Sequence, residues 1–215
     1  MSTVKKLMMA GGIEWAGLAI GTPVEGGYYA GIMRYSDGDY ALIVAPKAAE
    51  TSLQTKTTYS STSGTQSYHD GLANSNAMNN PTHPAAQYCR AYAGDGYLDW
   101  YLPARDELEL LYRNLKPGTV SNLTGARPES GSHGQNANSV PVGAAYTVGS
   151  PTQTAAAAFR EGATEALAGG RYSASTEYAP DPNNSSWSQE FGNGRQRESI
   201  KTVAYLVRPV RRVKI

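Results

Sequence analysis

The segment LPARDELELLYRNL, residues 102–115, carries the strongest secondary-structure signal in the chain. Pro103 suits the first turn of a helix, and Asp106 and Glu107 place negative charge near the positive end of the helix dipole. One apolar stripe follows at helical spacing, formed by Leu108, Leu111 and Leu115. The segment therefore predicts an amphipathic α-helix that packs its leucines into a core.

Charged residues on this helix have competing interpretations. Glu109 and Arg113 lie four residues apart, which predicts an exposed ion pair. Asp106 and Glu107 could form a paired-carboxylate site, as in glycoside hydrolases. We favour helix capping by these two acids, with the nearby Trp100 in the core.

Elements upstream of this helix follow from local patterns. Two stretches rich in aromatic and β-branched residues, 28–33 and 40–45, flank the turn-forming pair Asp37-Gly38, which predicts a β-hairpin. Residues 51–80 are polar and lack either period, so we expect a long loop with at most one helical turn. Residues 85–92 show helical spacing and predict a second helix.

Downstream segments alternate between loops and strands. Residues 116–154 are rich in Gly, Ser, Asn and Pro, and the alanine-rich piece after them predicts only short helical turns. Trp187, Gln189 and Phe191 would share one strand face, followed by a Gly-Asn-Gly turn. The last strand, VAYLVRPVRRVKI, is expected near a sheet edge because Pro209 cannot donate to a ladder.

Composition and charge narrow the function classes. The chain has 215 residues, of which 40% are hydrophobic and 17% charged, so loops should occupy much of one domain. Its formal net charge is +1 and its basic residues form no stripe before the terminal run, which disfavours nucleic-acid binding. Cys89 is the single cysteine, which excludes an intramolecular disulfide. We expect it to be a small buried hydrophobe.

The N-terminal stretch is apolar but interrupted by glycines and Glu14, so neither a signal peptide nor a membrane span is predicted. We expect residues 1–21 to be an attachment segment and residues 22–215 to be the domain. Some apolar side chains of this segment would need a partner: Leu7, Met8, Ile13, Trp15 and Leu18. Packing back onto their own domain is the alternative.

Three separated segments carry a family resemblance. They are LDWYLPARDELELLY at 98–112, FREGATEALAGGRYSASTEY at 159–178, and WSQEFGNGRQ with VAYLVRPVRRV between residues 187 and 213. In this order they resemble the DUF1566 family, also called the Lcl C-terminal domain, over residues 88–213. Ser173 departs from the family pattern, which more often has Trp there.

That resemblance implies an α+β, C-type-lectin-like domain. Such a domain has a small twisted antiparallel sheet, two flanking helices and long loops on one side. The opening IGTPVEGGYYAGIM and YALIVAPK, between residues 20 and 47, is also similar to the start of bacteriophage tail-fibre and receptor-binding proteins. The resemblance therefore implies a virion protein of the tail fibre or baseplate, synthesised in the host cytoplasm.

The implied role is recognition of a host surface glycan or protein, without enzymatic activity. The N-terminal segment would contact other tail or baseplate proteins, and fibre tips are commonly trimeric, so a homotrimer is expected. One alternative is a structural virion protein that touches no receptor. A more distant one is a lectin-fold enzyme, although the related sulfatase-modifying enzymes use cysteines in their C-terminal part, which Cys89 does not match.

Ligand contact is predicted for the segment EYAPDPNNSSWSQ, residues 177–189, because it is polar, bounded by prolines and carried between two strands. Its candidate ligand-binding residues are Glu177, Tyr178, Asp181, Asn183 and Asn184. Aromatic rings can pack on a sugar ring, and carboxylates and amides can bond its hydroxyls.

Other sites remain open alternatives. The oxygens of this segment supply only part of the six to eight ligands that calcium prefers, so no cofactor is predicted and calcium stays an alternative. The three histidines, His69, His83 and His133, lack metal-ligand spacing and are expected to be solvated. Loops 57–80 and 131–147 have the composition of adaptable binding loops, or of plain solvated loops.

Overall fold

The computed structural model describes residues 13–215. Over that range the chain has a mixed α+β fold with three α-helices and two five-stranded sheets. The helices are α1 (Gly71–Ala77), α2 (Pro84–Ala91) and α3 (Arg105–Leu115). The α+β class is confirmed, but the helices number three rather than two, and the strands form two sheets rather than one.

The first sheet contains the predicted hairpin, and the C-terminal strand of the chain pairs with it. Its strands are β1 (Pro23–Val24), β2 (Gly27–Tyr35), β3 (Gly38–Val44), β5 (Ser139–Val140) and β10 (Val210–Lys214). The order is β1-β2-β3-β10, and β5 pairs with β2. β2 and β3 pair antiparallel from Tyr28–Val44 to Tyr35–Gly38, which confirms the hairpin.

The second sheet carries the segment predicted to bind a ligand. Its strands are β4 (Thr51–Gln54), β6 (Arg171–Glu177), β7 (Ser185–Glu190), β8 (Gln196–Ile200) and β9 (Ala204–Val207), in the order β4-β9-β6-β7-β8. All pairs are antiparallel except β6 with β9. The predicted Gly-Asn-Gly turn joins β7 to β8. Gly194 there has φ +77°, and a Cβ would lie 2.5 Å from Tyr112, so only glycine fits.

The predicted last strand is two strands in two different sheets. Pro209 separates them: β9 lies inside the second sheet, between β4 and β6, whereas β10 ends the first sheet's path. The carbonyl of Pro209 still accepts a hydrogen bond from the Ala45 amide at 2.9 Å. A proline cannot donate to a ladder, so the chain changes sheet at this point. The edge prediction therefore holds for β10 and is wrong for β9.

Helix α3 lies between the two sheets, in contact with β2 on one side and β6 and β7 on the other. Leu108, Leu111 and Leu115 are buried as predicted, and so is Trp100. The predicted exposure of Glu109 is wrong, because this side chain is fully buried. A helix buried nearly all round belongs to the interior of a domain.

Partners from a distant loop explain the burial of Glu109. Its carboxylate pairs with Arg113 at 2.8 Å and accepts hydrogen bonds from Tyr146 Oη at 3.0 Å and Asn136 Nδ2 at 2.8 Å. Asn136 and Tyr146 belong to the Gly- and Asn-rich stretch that covers the helix. Buried polar groups are tolerated when they are hydrogen-bonded in this way.

Two elements interrupt the segment predicted as a long loop. β4 pairs with β9, and α1 begins after Asp70, whose Oδ1 accepts from the Ala73 amide at 2.9 Å. Four of the seven residues of α1, GLANSNA, have low helix propensity, and the helix has only two turns, so periodicity does not indicate it. The predicted helix at 85–92 is confirmed as α2, one residue earlier.

Residues 13–21 lie against the domain. The apolar side chains of Ile13, Trp15, Leu18 and Ile20 pack on the core cluster that includes Tyr29 and Trp100, and the Gly21 amide donates to the Tyr29 carbonyl at 2.8 Å. This part of the attachment segment follows the alternative of packing on its own domain. The predicted contacts of Leu7 and Met8 lie outside the described residues. Across residues 13–215, every helix is too short or too polar to cross a lipid bilayer.

Candidate functional site

The five predicted ligand-binding residues lie at the end of β6 and in the turn to β7, but they do not form one open site. Glu177 is only 4% exposed and forms an ion pair with Lys201. Its carboxylate also accepts a hydrogen bond from the Thr62 amide at 2.6 Å. Glu177 thus ties loop 57–66 to the second sheet.

The other four residues are nearer the surface. Tyr178 is half-buried, and its ring meets Trp187 edge-on with centroids 5.4 Å apart. Asn183 and Asn184 are exposed. Asp181 Oδ1 accepts from Asn184 Nδ2 at 2.8 Å, and Asn183 Oδ1 accepts from the Ser61 amide at 3.1 Å. The turn is therefore braced by its own hydrogen bonds and by loop 57–66.

Buried polar groups continue beneath this turn. Lys56 Nζ donates to the Ser60 and Ser61 carbonyls, both at 2.9 Å, and Lys201 Nζ donates to the Pro182 carbonyl at 2.6 Å. Burial, together with the charges of these two lysines, lowers the pKa of His83 to about 4. His83 and His133 are both buried, so the prediction of solvated histidines is wrong for them.

The arrangement of these oxygens does not suit calcium. The Glu177 carboxylate binds an ammonium group, whereas Asp181 and Asn183 bond separate partners. A calcium site needs six to eight oxygens directed at one point. Among residues 13–215, no group of three or more His, Cys, Asp or Glu side chains could hold a metal ion.

A surface cleft of about 430 Å³ lies where two loop segments meet the start of helix α3. Residues 68–69 precede α1, Arg105 and Asp106 begin α3, and residues 127–143 cover α3. The lining side chains combine an aromatic ring, an imidazole, two guanidinium groups, a carboxylate and amides: Tyr68, His69, Arg105, Arg127, Asp106, Gln135, Asn136 and Asn138. Exposed Ala137 and Val142 also line it.

Arg105 is fixed between two aromatic rings at the base of this cleft. Its guanidinium carbon lies 3.8 Å from the Tyr68 ring centroid and 5.0 Å from that of Trp187. Its Nε donates to Asp106 Oδ1 at 2.9 Å. Tyr178 packs on the same Trp187, so the segment predicted to bind a ligand contacts a residue that holds Arg105 in place. Stacking and one ion pair hold this arginine in a single geometry.

Arg127 enters the cleft from the covering loop. Its Nε donates to the Ser130 carbonyl at 3.0 Å and its Nη1 to the Gln135 carbonyl at 2.8 Å. Burial, and next the like charge of Arg105, lower the pKa of Arg127. The two arginines therefore bring like charge to the same cleft.

Asp106 and Glu107 serve different environments, so a paired-carboxylate site is not formed. Asp106 bonds Arg105 with one oxygen and Asn138 Nδ2 with the other, at 2.9 Å each. Glu107 is fully buried and accepts from the Ala104 amide at 2.7 Å, which confirms that it caps the helix. Its other oxygen accepts from Tyr35 and Tyr101 in the core.

The sequence predicts part of this cleft. Eight of its eleven lining residues lie in loops 57–80 and 131–147, the alternative binding loops, and Asp106 is among the candidate acids. The sequence does not indicate that Arg105 and Arg127 meet these loops in one cleft. One signal is present: Arg127 is a basic residue within a polar, Gly-rich stretch. A second cleft of about 370 Å³, near Phe191, is lined mostly by Gly, Ala and Pro and offers fewer polar side chains.

Comparisons with known proteins give no further assignment. No family model, no curated protein and no solved structure matches the chain.

Cys89 lies away from both clefts, in the core beside Leu102 and Val207. Burial raises the pKa of its thiol, so the thiolate is disfavoured. We expect Cys89→Ser to lower the free energy of unfolding by about 1–3 kcal/mol, because it buries a hydroxyl in an apolar site. Urea denaturation measures this change, and Cys89→Ala, which adds no polar group, should lose less. A serine variant as stable as the wild type would contradict the core assignment.

Proposed function

We propose that this protein is a non-enzymatic recognition module that binds a saccharide or protein on a bacterial surface. The observation that supports this proposal is the cleft at the start of α3, where aromatic, guanidinium and amide groups converge from two loops and the first turn of the helix. Ligand pockets typically combine apolar contact with a few well-placed polar groups. Loops carried on a rigid scaffold are where recognition usually lies.

Contacts within the cleft also favour binding over catalysis. Asp106 is bound at both oxygens by Arg105 and Asn138, so its carboxylate is engaged rather than poised to move a proton. Arg105 is held by stacking on Tyr68. Groups fixed in this way present directional hydrogen bonds to a ligand at little entropic cost.

The biological setting is proposed from the resemblance of the sequence motifs. On that basis the fold is C-type-lectin-like, related to the DUF1566 family, and the chain forms the tip of a bacteriophage tail fibre. It would be a virion component that contacts other tail or baseplate proteins through its N-terminal segment and recognises the host. Fold alone does not assign a ligand, so the cleft carries that part of the proposal.

A structural role in the virion is the second candidate. Val120 and Val148 are 60% and 63% exposed, and the Asn122 amide donates to the Val148 carbonyl at 3.1 Å, which brings the two segments together. Exposed apolar residues that cluster suit contact with another protein. In the proposed homotrimer, this patch would lie at the contact between subunits.

Adsorption to bacterial cells tests the recognition proposal. The labelled chain is mixed with a panel of bacterial strains and with their extracted polysaccharides, and bound protein is measured against concentration. We expect saturable adsorption that Ala137→Trp abolishes, because an indole at this exposed position would fill the cleft. The far-UV circular dichroism and melting temperature should stay unchanged, since Ala137 contributes little to the core.

Two further variants locate the site. Ala155 is exposed and does not line the cleft, so Ala155→Trp should adsorb like the wild type. Replacing Tyr178, Asp181 and Asn183 together by Ala tests the loop predicted from the sequence. Loss of adsorption in that folded triple variant but not in Ala137→Trp would place the site on the loop. Tight binding only to another virion protein would favour the structural role.

A further inference from the structure

Positive charge in the cleft is not balanced by the side chains that line it. Arg105 and Arg127 both line the cleft, and Asp106 is the one carboxylate among the described lining residues. Asp106 is already bound by Arg105 and by Asn138. The Glu129 carboxylate lies outside the lining, accepts from Tyr68 Oη at 2.5 Å and the Ala179 amide at 3.0 Å, and offsets part of the charge of Arg127.

The guanidinium groups retain unused donors. Arg105 is only 8% exposed, yet within the described chain its two terminal nitrogens have no hydrogen-bond partner and only its Nε does. Arg127 forms no ion pair with a carboxylate among residues 13–215, and its Nη2 has no partner there. None of these terminal nitrogens is among the fully buried polar atoms without a partner in the described chain, so they remain accessible at the cleft and can donate to an anionic ligand.

We propose that the cleft binds an acidic saccharide whose anionic group lies between Arg105 and Arg127. This inference rests on the proposed recognition function and specifies its ligand class. Guanidinium groups bind carboxylates and phosphates through paired hydrogen bonds, and Arg105 is preoriented for this by its stacking on Tyr68. The amides of Gln135 and Asn138 lie in the same cleft and can bond sugar hydroxyls.

Nuclear magnetic resonance of the arginine side chains tests the inference directly. Both Nε–H groups are held in hydrogen bonds, to Asp106 and to the Ser130 carbonyl, which favours observable signals. The full chain is titrated with galacturonate, with galactose 6-phosphate and with neutral galactose. We expect the two acids to shift the Arg105 and Arg127 signals saturably, with millimolar dissociation constants, while galactose does not. The stronger of the two acids identifies carboxylate or phosphate as the preferred source of charge.

Matched variants distinguish binding at this cleft from a general attraction of anions to positive charge on the protein. Arg127→Gln should weaken binding of the preferred acid at least about tenfold, since hydrogen bonds to charged groups contribute substantially. Arg127→Lys keeps the charge but loses the paired donors, so its affinity should be intermediate. Arg160 is exposed and lies outside the cleft, with Nε on the Thr154 carbonyl, so Arg160→Gln should bind like the wild type.

Several outcomes would overturn the inference. These are no saturable shift with either acid, an equal response to galactose, or unchanged affinity in folded Arg127→Gln. If that variant does not fold, the wild-type titration decides. Adsorption to cells without an acid response would refute this inference alone, whereas an acid response without adsorption to any strain would refute the recognition proposal.

Discussion

Glu177→Ala should lower the free energy of unfolding by about 3–5 kcal/mol, because it leaves the Lys201 ammonium buried without its counter-ion. Lys201 is 2% exposed, and burial lowers its pKa while Glu177 opposes that shift. Lys56 is buried close by and donates to the Ser60 carbonyl, as Lys201 does. Removing the carboxylate therefore leaves two buried cations that share one region.

Urea denaturation at neutral pH measures this loss, and a double-mutant cycle assigns it to the pair. Lys201→Met in the Glu177→Ala background removes the orphaned charge, so the double variant should be more stable than Glu177→Ala alone. Glu190 pairs with Arg171 at a partly exposed position on β7, so Glu190→Ala is the matched control and should lose about 1 kcal/mol or less. A Glu177→Ala variant as stable as this control would contradict the buried ion pair.

The Glu177–Lys201 pair also shows why the sequence predicts the position of this turn but not the contacts of its residues. The sequence identifies the turn after β6 as chemically rich, but it does not indicate that Lys201, 24 residues later, neutralises Glu177. Nor does it indicate that loop 57–66 covers the pair through Ser60 and Thr62. Polar composition predicts a loop, whereas the partners of each polar group depend on the tertiary fold.

Helices, hairpins and turns that depend on short-range sequence patterns are predicted from the sequence. The β2–β3 hairpin, α2, α3, the β7 strand and its glycine turn all follow from periodicity and turn residues. Tertiary contacts override the prediction at Glu109, which is buried because Asn136 and Tyr146 reach it. Pro209 predicts an edge strand, but it marks the change from one sheet to the other.

The cleft depends on the same long-range packing. Tyr68 reaches Arg105 because α1 and α3 both pack on the second sheet, and Arg127 arrives from a loop without regular secondary structure. Arg105 lies in the segment that predicts α3, yet its stacking between Tyr68 and Trp187 needs three distant segments. The spacing of these residues along the sequence does not indicate that their side chains come into contact.

Glu107→Gln should change how stability depends on pH. Burial raises the pKa of Glu107 to about 7 from an ordinary value of 4.5, although its hydrogen bonds oppose that shift. The folded state therefore keeps this proton over a range where the unfolded chain loses it. The stability contributed by Glu107 is complete below pH 4.5 and is lost as the pH rises to about 7. The expected loss over that window is about 3 kcal/mol.

His83 acts in the opposite direction, since its pKa is lowered from 6.5 to about 4. Its contribution is complete above pH 6.5 and is lost as the pH falls to about 4, so the two groups offset each other in the wild type. In Glu107→Gln we expect stability to rise with pH across this range, because the opposing group has been removed. In His83→Gln we expect stability to fall with pH.

Free energies of unfolding from urea denaturation, measured at several pH values between 4.5 and 7, test both slopes. Each variant also loses some stability that does not depend on pH. In Glu107→Gln the new amide bonds the Ala104 backbone less well than the carboxyl group does, and in His83→Gln it bonds the Thr62 hydroxyl less well than the imidazole does. The slope rather than the absolute stability is therefore the relevant quantity. Parallel pH profiles for the wild type and Glu107→Gln would show that Glu107 has the same pKa in the folded and unfolded chains.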